Sequence, residues 1–413
     1  MENSVDGQLI SAVSRLSAAL NCIAADLQTP LIIWEGRGYT ANQHDYQTIS
    51  VIGEQMERHE FIELLQKLLL THSPSGDEGE MECVAREEME NCCDDVWVDE
   101  CDNVIGLIRG QTNEHPVRVM AHKDEIGMIV KRVESDGRLR VESTGGANTW
   151  RYGEGPMDIL SASGVLTGVL SIGPSHTSPE AGDMQQARSK PLDWDMVRID
   201  AKLSKEELTQ KGVRVGTRVV VSRLRKEPLL LGDYICAWAL DDKGGVAIML
   251  NVAEQLAHKG EKPPRDIYFI ATSAEEPGIS GGAYAARTLP GNETIALEVA
   301  PVHREYDIQN CASPVVIYKD SAMVYSKKLS DRLYHLGKML GFGCQACSVS
   351  SFGSDASHVL KYGLTGKAAC IGFPTENTHG YEIAQIDGME NSAKLILAFL
   401  KDAGEQKYGG EET

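Results

Sequence analysis

Five residues of metal-ligand type are spaced along this chain so that they could do hydrolytic chemistry together: His122, Asp241, Glu276, Glu298 and His379. Singly, none stands out. A histidine at a strand end is usually a hydrogen-bonded structural residue, and an Asp-Asp or Glu-Glu pair is usually a solvated turn or a helix cap. Here, however, each residue closes, follows or lies late in an apolar run that reads as a strand. His122 ends Pro116–His122, Asp241 comes just after Cys236–Leu240, and Glu275 and Glu276 follow Asp266–Thr272. Glu298 lies late in Thr294–Val299, and His379 comes shortly after Ala368–Gly372. Acidic groups gathered in one crevice repel unless a cation compensates. Two imidazoles and three carboxylates, with no thiolate required, suit a pair of hard-to-borderline divalent cations. One bridging carboxylate would let five side chains serve two ions about 3.5–4 Å apart. Glu275 then remains as general base towards a water whose acidity the cations raise. Chemistry alone does not choose the bridge, because Asp241 and Asp242 are identical and adjacent.

Gathering such a set calls for an open α/β sheet, where ligands bind at the carboxyl ends of the strands. Strands alternating with helices imply a mixed, mostly parallel sheet sandwiched by helices. Helices are expected over about Met56–Leu70, Glu78–Met89 and Met389–Lys401, with a long apolar helix after Gly245. From about residue 130 to 232 the chain turns rich in Gly, Val and Thr, with runs such as Gly164–Leu170 and Thr217–Val221. That pattern reads as a small inserted β-domain. The expected division is a catalytic α/β domain over 58–129 and 233–413, the insertion at 130–232, and an N-terminal helical extension over 1–57. In the extension, Leu9, Val13, Leu16, Leu20, Ile23 and Leu27 fall on one helical face, for packing against the body or a partner.

The bulk numbers exclude several function classes. The 413 residues exceed one compact core. Sixty acidic against forty basic residues give a formal charge of −20, which argues against nucleic acid and anionic membranes as partners. The first residues lack a basic segment followed by an apolar one, so no secretory signal is expected. No window approaches ~20 apolar residues. Ten scattered cysteines read as reduced thiols, and a cytoplasmic location is expected. The Cys344/Cys347 and Cys92/Cys93 pairs carry no functional reading.

Five segments stand in a familiar order: Ala121-His-Lys-Asp-Glu-Ile-Gly127, Leu240-Asp-Asp-Lys-Gly244, Glu275-Glu-Pro-Gly278, Gly353-Ser-Asp-Ala356 and Thr378-His-Gly-Tyr-Glu382. Together they closely resemble the tetrahedral (glutamyl and deblocking) aminopeptidase family of di-metal peptidases, from about Glu60 to Lys401. The resemblance implies an aminopeptidase that releases N-terminal residues from peptides, using two divalent ions, zinc or cobalt. It assigns one ion to His122, Asp241 and Glu298, and the other to Asp241, Glu276 and His379. It makes Glu275 the base and Asp124 the partner that orients His122. The bridge is Asp241, because the family's bridging residue stands two before the basic residue, here Lys243. Asp242 should then point elsewhere and accept backbone hydrogen bonds, across an uncommon cis non-proline peptide. The insertion matches the family's PDZ-like domain, which implies a homo-oligomer, from dimer up to dodecamer. Asp355 is expected either to support the site loop or to cap a helix.

Three positions depart from the family pattern. Glu298 stands where aspartate is usual, Lys243 replaces an arginine, and Gly380-Tyr381 replaces Ser-Pro, the last two bearing on the pocket. Two other readings compete. A related di-metal amidohydrolase, either deacylase or carboxypeptidase, is compatible with Pro277 and Glu298. A non-catalytic assembly subunit would lack a ligand, and all five are present. A glycosidase would leave the histidines without a role. The preferred N-terminal residue is not legible in the sequence.

Overall fold

A computed structural model describes residues 56–178, 187–188, 190–258 and 262–402. The apolar face expected between Leu9 and Leu27 lies outside the described residues, as does the extension up to residue 55. Three strands precede the insertion: β1 (Asp95–Val98), β2 (Val104–Ile108) and β3 (Thr112–His122). The insertion carries β4 (Gly127–Val133), β5 (Leu139–Thr144), β6 (Gly155–Ser161), β7 (Gly164–Ser171), β8 (Arg198–Asp200) and β9 (Arg218–Val221). Then come β10 (Leu229–Leu231), β11 (Tyr234–Trp238), β12 (Arg265–Thr272) and β13 (Glu293–Pro301). The last four are β14 (Val315–Lys319), β15 (Gln345–Ser348), β16 (Lys367–Glu376) and β17 (Tyr381–Gln385).

The main sheet is mixed, in the order β1-β2-β12-β3-β13-β16-β17-β11-β10, with β14 also on β16 and β15 beyond it. Its centre is parallel: β12 with β3, β3 with β13, and β13 with β16. β17 runs antiparallel to both β16 and β11, so two reversals return β11 to the direction of the parallel set. The carboxyl ends of β3, β11, β12, β13 and β16 therefore open on one edge, which brings residues far apart in sequence to one crevice.

Helices cover both faces of this sheet. Val117, Val119 and Ala121 of β3 pack in a core with the helices Arg58–Leu70, Leu240–His258 and Ile386–Lys401. Met120, pointing the other way, packs with Ile105, Ile270 and residues of the helices Ser280–Thr288 and Asp355–Lys361. A strand buried on both sides reads as a continuous apolar run, which is why Pro116–His122 was recognisable. Each fully buried aliphatic side chain contributes about 1.5–3 kcal/mol. The helix Arg58–Leu70 buries Phe61, Leu65, Leu68 and Leu69, one face at helical spacing, and a Glu57–Glu60 capping box starts it.

The insertion is a closed antiparallel barrel in the order β4-β5-β8-β7-β6-β9, filled by Met128, Val141, Met157, Ile159, Leu170 and Val219. Its first strand starts three residues before the expected boundary at 130, directly from the loop after β3. At the other end, Leu229–Leu231 was expected inside the insertion but pairs with β11 in the main sheet. Composition marks a short apolar segment as strand-like without saying which sheet it joins.

Candidate metal centre

His122 closes β3 opposite Thr272 of β12. Its Nδ1 lies 3.1 Å from the Asp124 carbonyl oxygen, and its Nε2 lies 3.1 Å from Asp241 Oδ1. The other oxygen of Asp241 lies 3.4 Å from His379 Nε2, so the two oxygens of one carboxylate face different imidazoles. His379 Nε2 also lies 3.5 Å from Glu276 Oε1. Two sets of potential ligand atoms result, each within 4.8 Å: His122, Asp241 and Glu298, and Asp241, Glu276 and His379. Glu275 Oε2 stands 3.9 Å from His122 Nε2, beside both sets and in neither.

The neighbouring aspartate points away. Asp242 accepts from the backbone N–H of Gly245 at 3.1 Å and of His122 at 3.3 Å, and its bond to Asp241 is cis. Only glycine fits at 245, where a Cβ would stand 2.3 Å from Asp242 Oδ1.

Several buried groups hold these side chains in place. Asp124 accepts from the Ser75 hydroxyl at 2.6 Å and from the backbone N–H of Glu275 and Glu276 at 3.0 and 3.3 Å. It thus ties the His122 loop to the Glu275-Glu276 turn. Glu382 accepts from the backbone N–H of Asp241 and of His379, at 3.1 and 3.0 Å. The barrel also reaches in: the Gly146 carbonyl lies 3.3 Å from His379 Nδ1, leaving Nε2 facing Asp241 and Glu276. A Cβ at Gly146 would stand 2.8 Å from His379 Cε1. Ala239, Ala274 and His379 all have positive φ, which non-glycine residues seldom adopt. Such backbone concentrates at functional sites, and these three flank or belong to the ligand loops.

The electrostatics favour a cation. Burial pushes Glu276 up to about 7 despite His379, and pushes Glu275 and Glu298 well above the usual carboxylate range despite His122. Asp241 is lowered against the pull of burial by its bonds to His122 and His379. His379 is raised to about 10, since Asp241 and Glu276 outweigh burial. Glu276 Oε1 is buried with no hydrogen-bond donor. Four carboxylates sharing two imidazoles are short of positive charge, and a donor set of carboxylate oxygens and imidazoles is what zinc or cobalt takes. The residues fit divalent ions.

The structure decides between the two readings of Asp355 and corrects that of Lys243. Ser354, not Asp355, caps the helix Asp355–Lys361, accepting from the Ser357 N–H. Asp355 is fully buried and accepts from the Thr272 hydroxyl at 2.5 Å, which supports the end of β12. Lys243 does not shape the pocket: it is fully buried, donating to the Thr71 carbonyl at 2.7 Å and standing 3.4 Å from Glu125. Sequence reasoning gave Glu382 and Gly146 no role. Glu382 lay within a quoted motif, whereas Gly146 left no signal because its role depends on the barrel's approach. Among the described residues, no helix is long and apolar enough to cross a membrane.

Comparison with known proteins identifies the family. The M42 glutamyl aminopeptidase family matches residues 102–395. A lysyl aminopeptidase of Pyrococcus furiosus is 28% identical over 352 residues, covering 82% of this chain and 96% of that protein. The solved structure of an aminopeptidase from the archaeon Desulfurococcus kamchatkensis superimposes with a TM-score of 0.75 at 26% identity, covering 84% and 96% of the two chains. The TET1 peptidase of Pyrococcus horikoshii, described as assembling into a tetrahedron or a large octahedral shell, gives 0.74 at 24% identity, covering 83% and 99%. The match spans more than half of the sequence: the chain belongs to the M42 glutamyl aminopeptidase family and is a metal-dependent aminopeptidase.

Proposed function

We propose that this aminopeptidase works with two divalent cations, zinc or cobalt, one held by His122, Asp241 and Glu298 and the other by Asp241, Glu276 and His379. The observation that carries the assignment is Asp241, whose two oxygens face separate histidines from the middle of both donor sets. When bound, the cations supply Lewis acidity and bring a water towards deprotonation near neutral pH. Glu275 is the general base. Its backbone N–H is anchored on Asp124 Oδ1, and its carboxylate belongs to neither donor set, so it is free to take a proton from the water and pass it to the departing amine. Asp124 and Gly146 orient the two imidazoles through their Nδ1 atoms, so that both Nε2 atoms meet the crevice.

Peptides are the substrates in this reading, and the enzyme is a homo-oligomer with the barrel contributing to subunit contacts. Val165 and Val169 on the outside of β7 are 47% and 48% exposed, and the Pyrococcus horikoshii relative forms shells. The nine cysteines among the described residues are all unpaired, which supports a cytoplasmic location. Exhaustive chelation should abolish hydrolysis of aminoacyl-p-nitroanilides, and added Zn²⁺ or Co²⁺ should restore it. Full activity in demetallated protein contradicts the metal reading, and a monomeric mass at micromolar concentration contradicts the assembly.

A further inference from the structure

Arg151 lies in the short helix Thr149–Tyr152 of the inserted domain and lines the crevice of about 490 Å³ that holds the candidate ligands. Among the described lining residues it is the one lysine or arginine. Its guanidinium stacks over Trp150, with Cζ 4.8 Å from the ring centroid, and pairs with no described carboxylate. That is unexpected in a chain with sixty acidic residues, beside four clustered carboxylates. The position facing it explains how the guanidinium fits. Gly380, directly after His379, is buried, and a Cβ there would stand 3.2 Å from Arg151 Nη1 and 3.3 Å from its Cδ. The lack of a side chain at 380, one of the departures seen in the sequence, therefore leaves the slot in which Arg151 rests.

A partly buried guanidinium without an anion has lost water and gained no ion pair in return. Its planar fork matches a carboxylate with two parallel hydrogen bonds. We propose that Arg151, resting in the slot beside Gly380, is a specificity residue that binds a carboxylate of the peptide substrate beside the scissile bond. This rests on the aminopeptidase reading of the crevice. The carboxylate has two possible sources: the side chain of an acidic N-terminal residue, or the C-terminus of a very short peptide.

Matched substrates separate the two on the metal-loaded enzyme. Glu-p-nitroanilide against Gln-p-nitroanilide tests the side chain, and Leu-Gly against Leu-Gly-amide tests the C-terminus. One pair should show a preference for its carboxylate member of about tenfold or more in kcat/KM, the usual range for a hydrogen bond to a charged group. Arg151→Gln should erase that preference through KM, and Arg151→Lys should keep part of it. Gly380→Ala crowds the guanidinium from the facing side and should weaken the same preference, which keeps the test open if an Arg151 variant does not fold. No preference in either pair for the unaltered enzyme, or a preference that survives Arg151→Gln, overturns the proposal. An unaltered, metal-loaded enzyme that turns over none of the four substrates overturns the crevice reading, and this proposal with it.

Discussion

His122, the last residue of β3, and Glu125, three residues on in the loop that follows, belong to two buried polar clusters of opposite design. Around Glu125 the chain supplies its own counter-charges. Lys226 Nζ lies 2.6 and 2.7 Å from the two carboxylate oxygens, and Lys243 stands 3.4 Å away. These lysines overcome burial and hold Glu125 down at about 2. The cluster continues through His72, whose ring joins Lys226 Nζ to Asp158 Oδ2, both at 3.1 Å. Lys226 follows the barrel and Asp158 lies in β6, so this network fastens the barrel to the α/β domain. Around His122 the balance is reversed, with Asp241, Glu275, Glu276 and Glu298 sharing two imidazoles and three of the four carboxyls pushed up. The first cluster is complete within the chain. The second is short of positive charge within the chain, which is the contrast expected between a structural joint and the proposed metal centre.

Glu275→Gln breaks the crevice at its base without touching a proposed ligand. Turnover should fall by about 10²–10⁴-fold while both metals stay bound. Equal losses of activity and metal would make Glu275 a ligand. Lys226→Met breaks the other cluster, leaving Glu125 buried with only the longer Lys243 pair at 3.4 Å, and should cost about 3–5 kcal/mol in denaturant unfolding. Adding Glu125→Gln should recover part of that loss, because the uncompensated charge goes too. A double variant as unstable as the single one would mean that charge pairing is not the joint's role.

Two weaker perturbations sharpen the comparison. Gly146→Ala pushes on His379 from the barrel side and should weaken one metal by roughly 10–100-fold, the usual scale for groups that orient a ligand. Calorimetric titration should then resolve one weakened and one unchanged site; two unchanged sites would remove Gly146 from the account. The smallest effect is on pH. Glu276 is raised from 4.5 to about 7, so its contribution to metal-free stability is present below 4.5 and lost as pH rises through 7. Asp355, raised from 3.8 to about 6, acts in the same sense. The metal-free melting temperature should drift down between pH 4.5 and 7, and metal should raise it more at pH 7 than at pH 5. A metal-induced shift that is flat across this window would contradict the shortage of positive charge.

What the sequence disclosed follows from how each feature is encoded. The proposed ligands His122, Asp241, Glu276, Glu298 and His379 could be picked out of the sequence because each closes, lies late in or follows a buried strand, and such strands print as apolar runs. The barrel was legible as a shift in composition, but not its edges, because Gly127 and Leu229–Leu231 look alike whichever sheet they join. The Lys226–Glu125 pair, 101 residues apart, and the Gly146–His379 contact, 233 apart, were not legible. Both form only when the barrel docks, and neither is announced by local spacing. Lys243 showed the opposite failure: a visible departure from a motif was read as a change in the pocket, whereas burial makes it a counter-charge for Glu125.

The central claim is that one carboxylate, that of Asp241, joins two cations. Diffraction from crystals grown with Zn²⁺, with anomalous data collected at the zinc edge, tests it most directly. The account predicts two anomalous peaks, each about 2.0–2.2 Å from a different oxygen of Asp241. Asp242 should remain turned to the backbone N–H of Gly245 and His122. A single peak, or two peaks bridged by Asp242 instead, would contradict it.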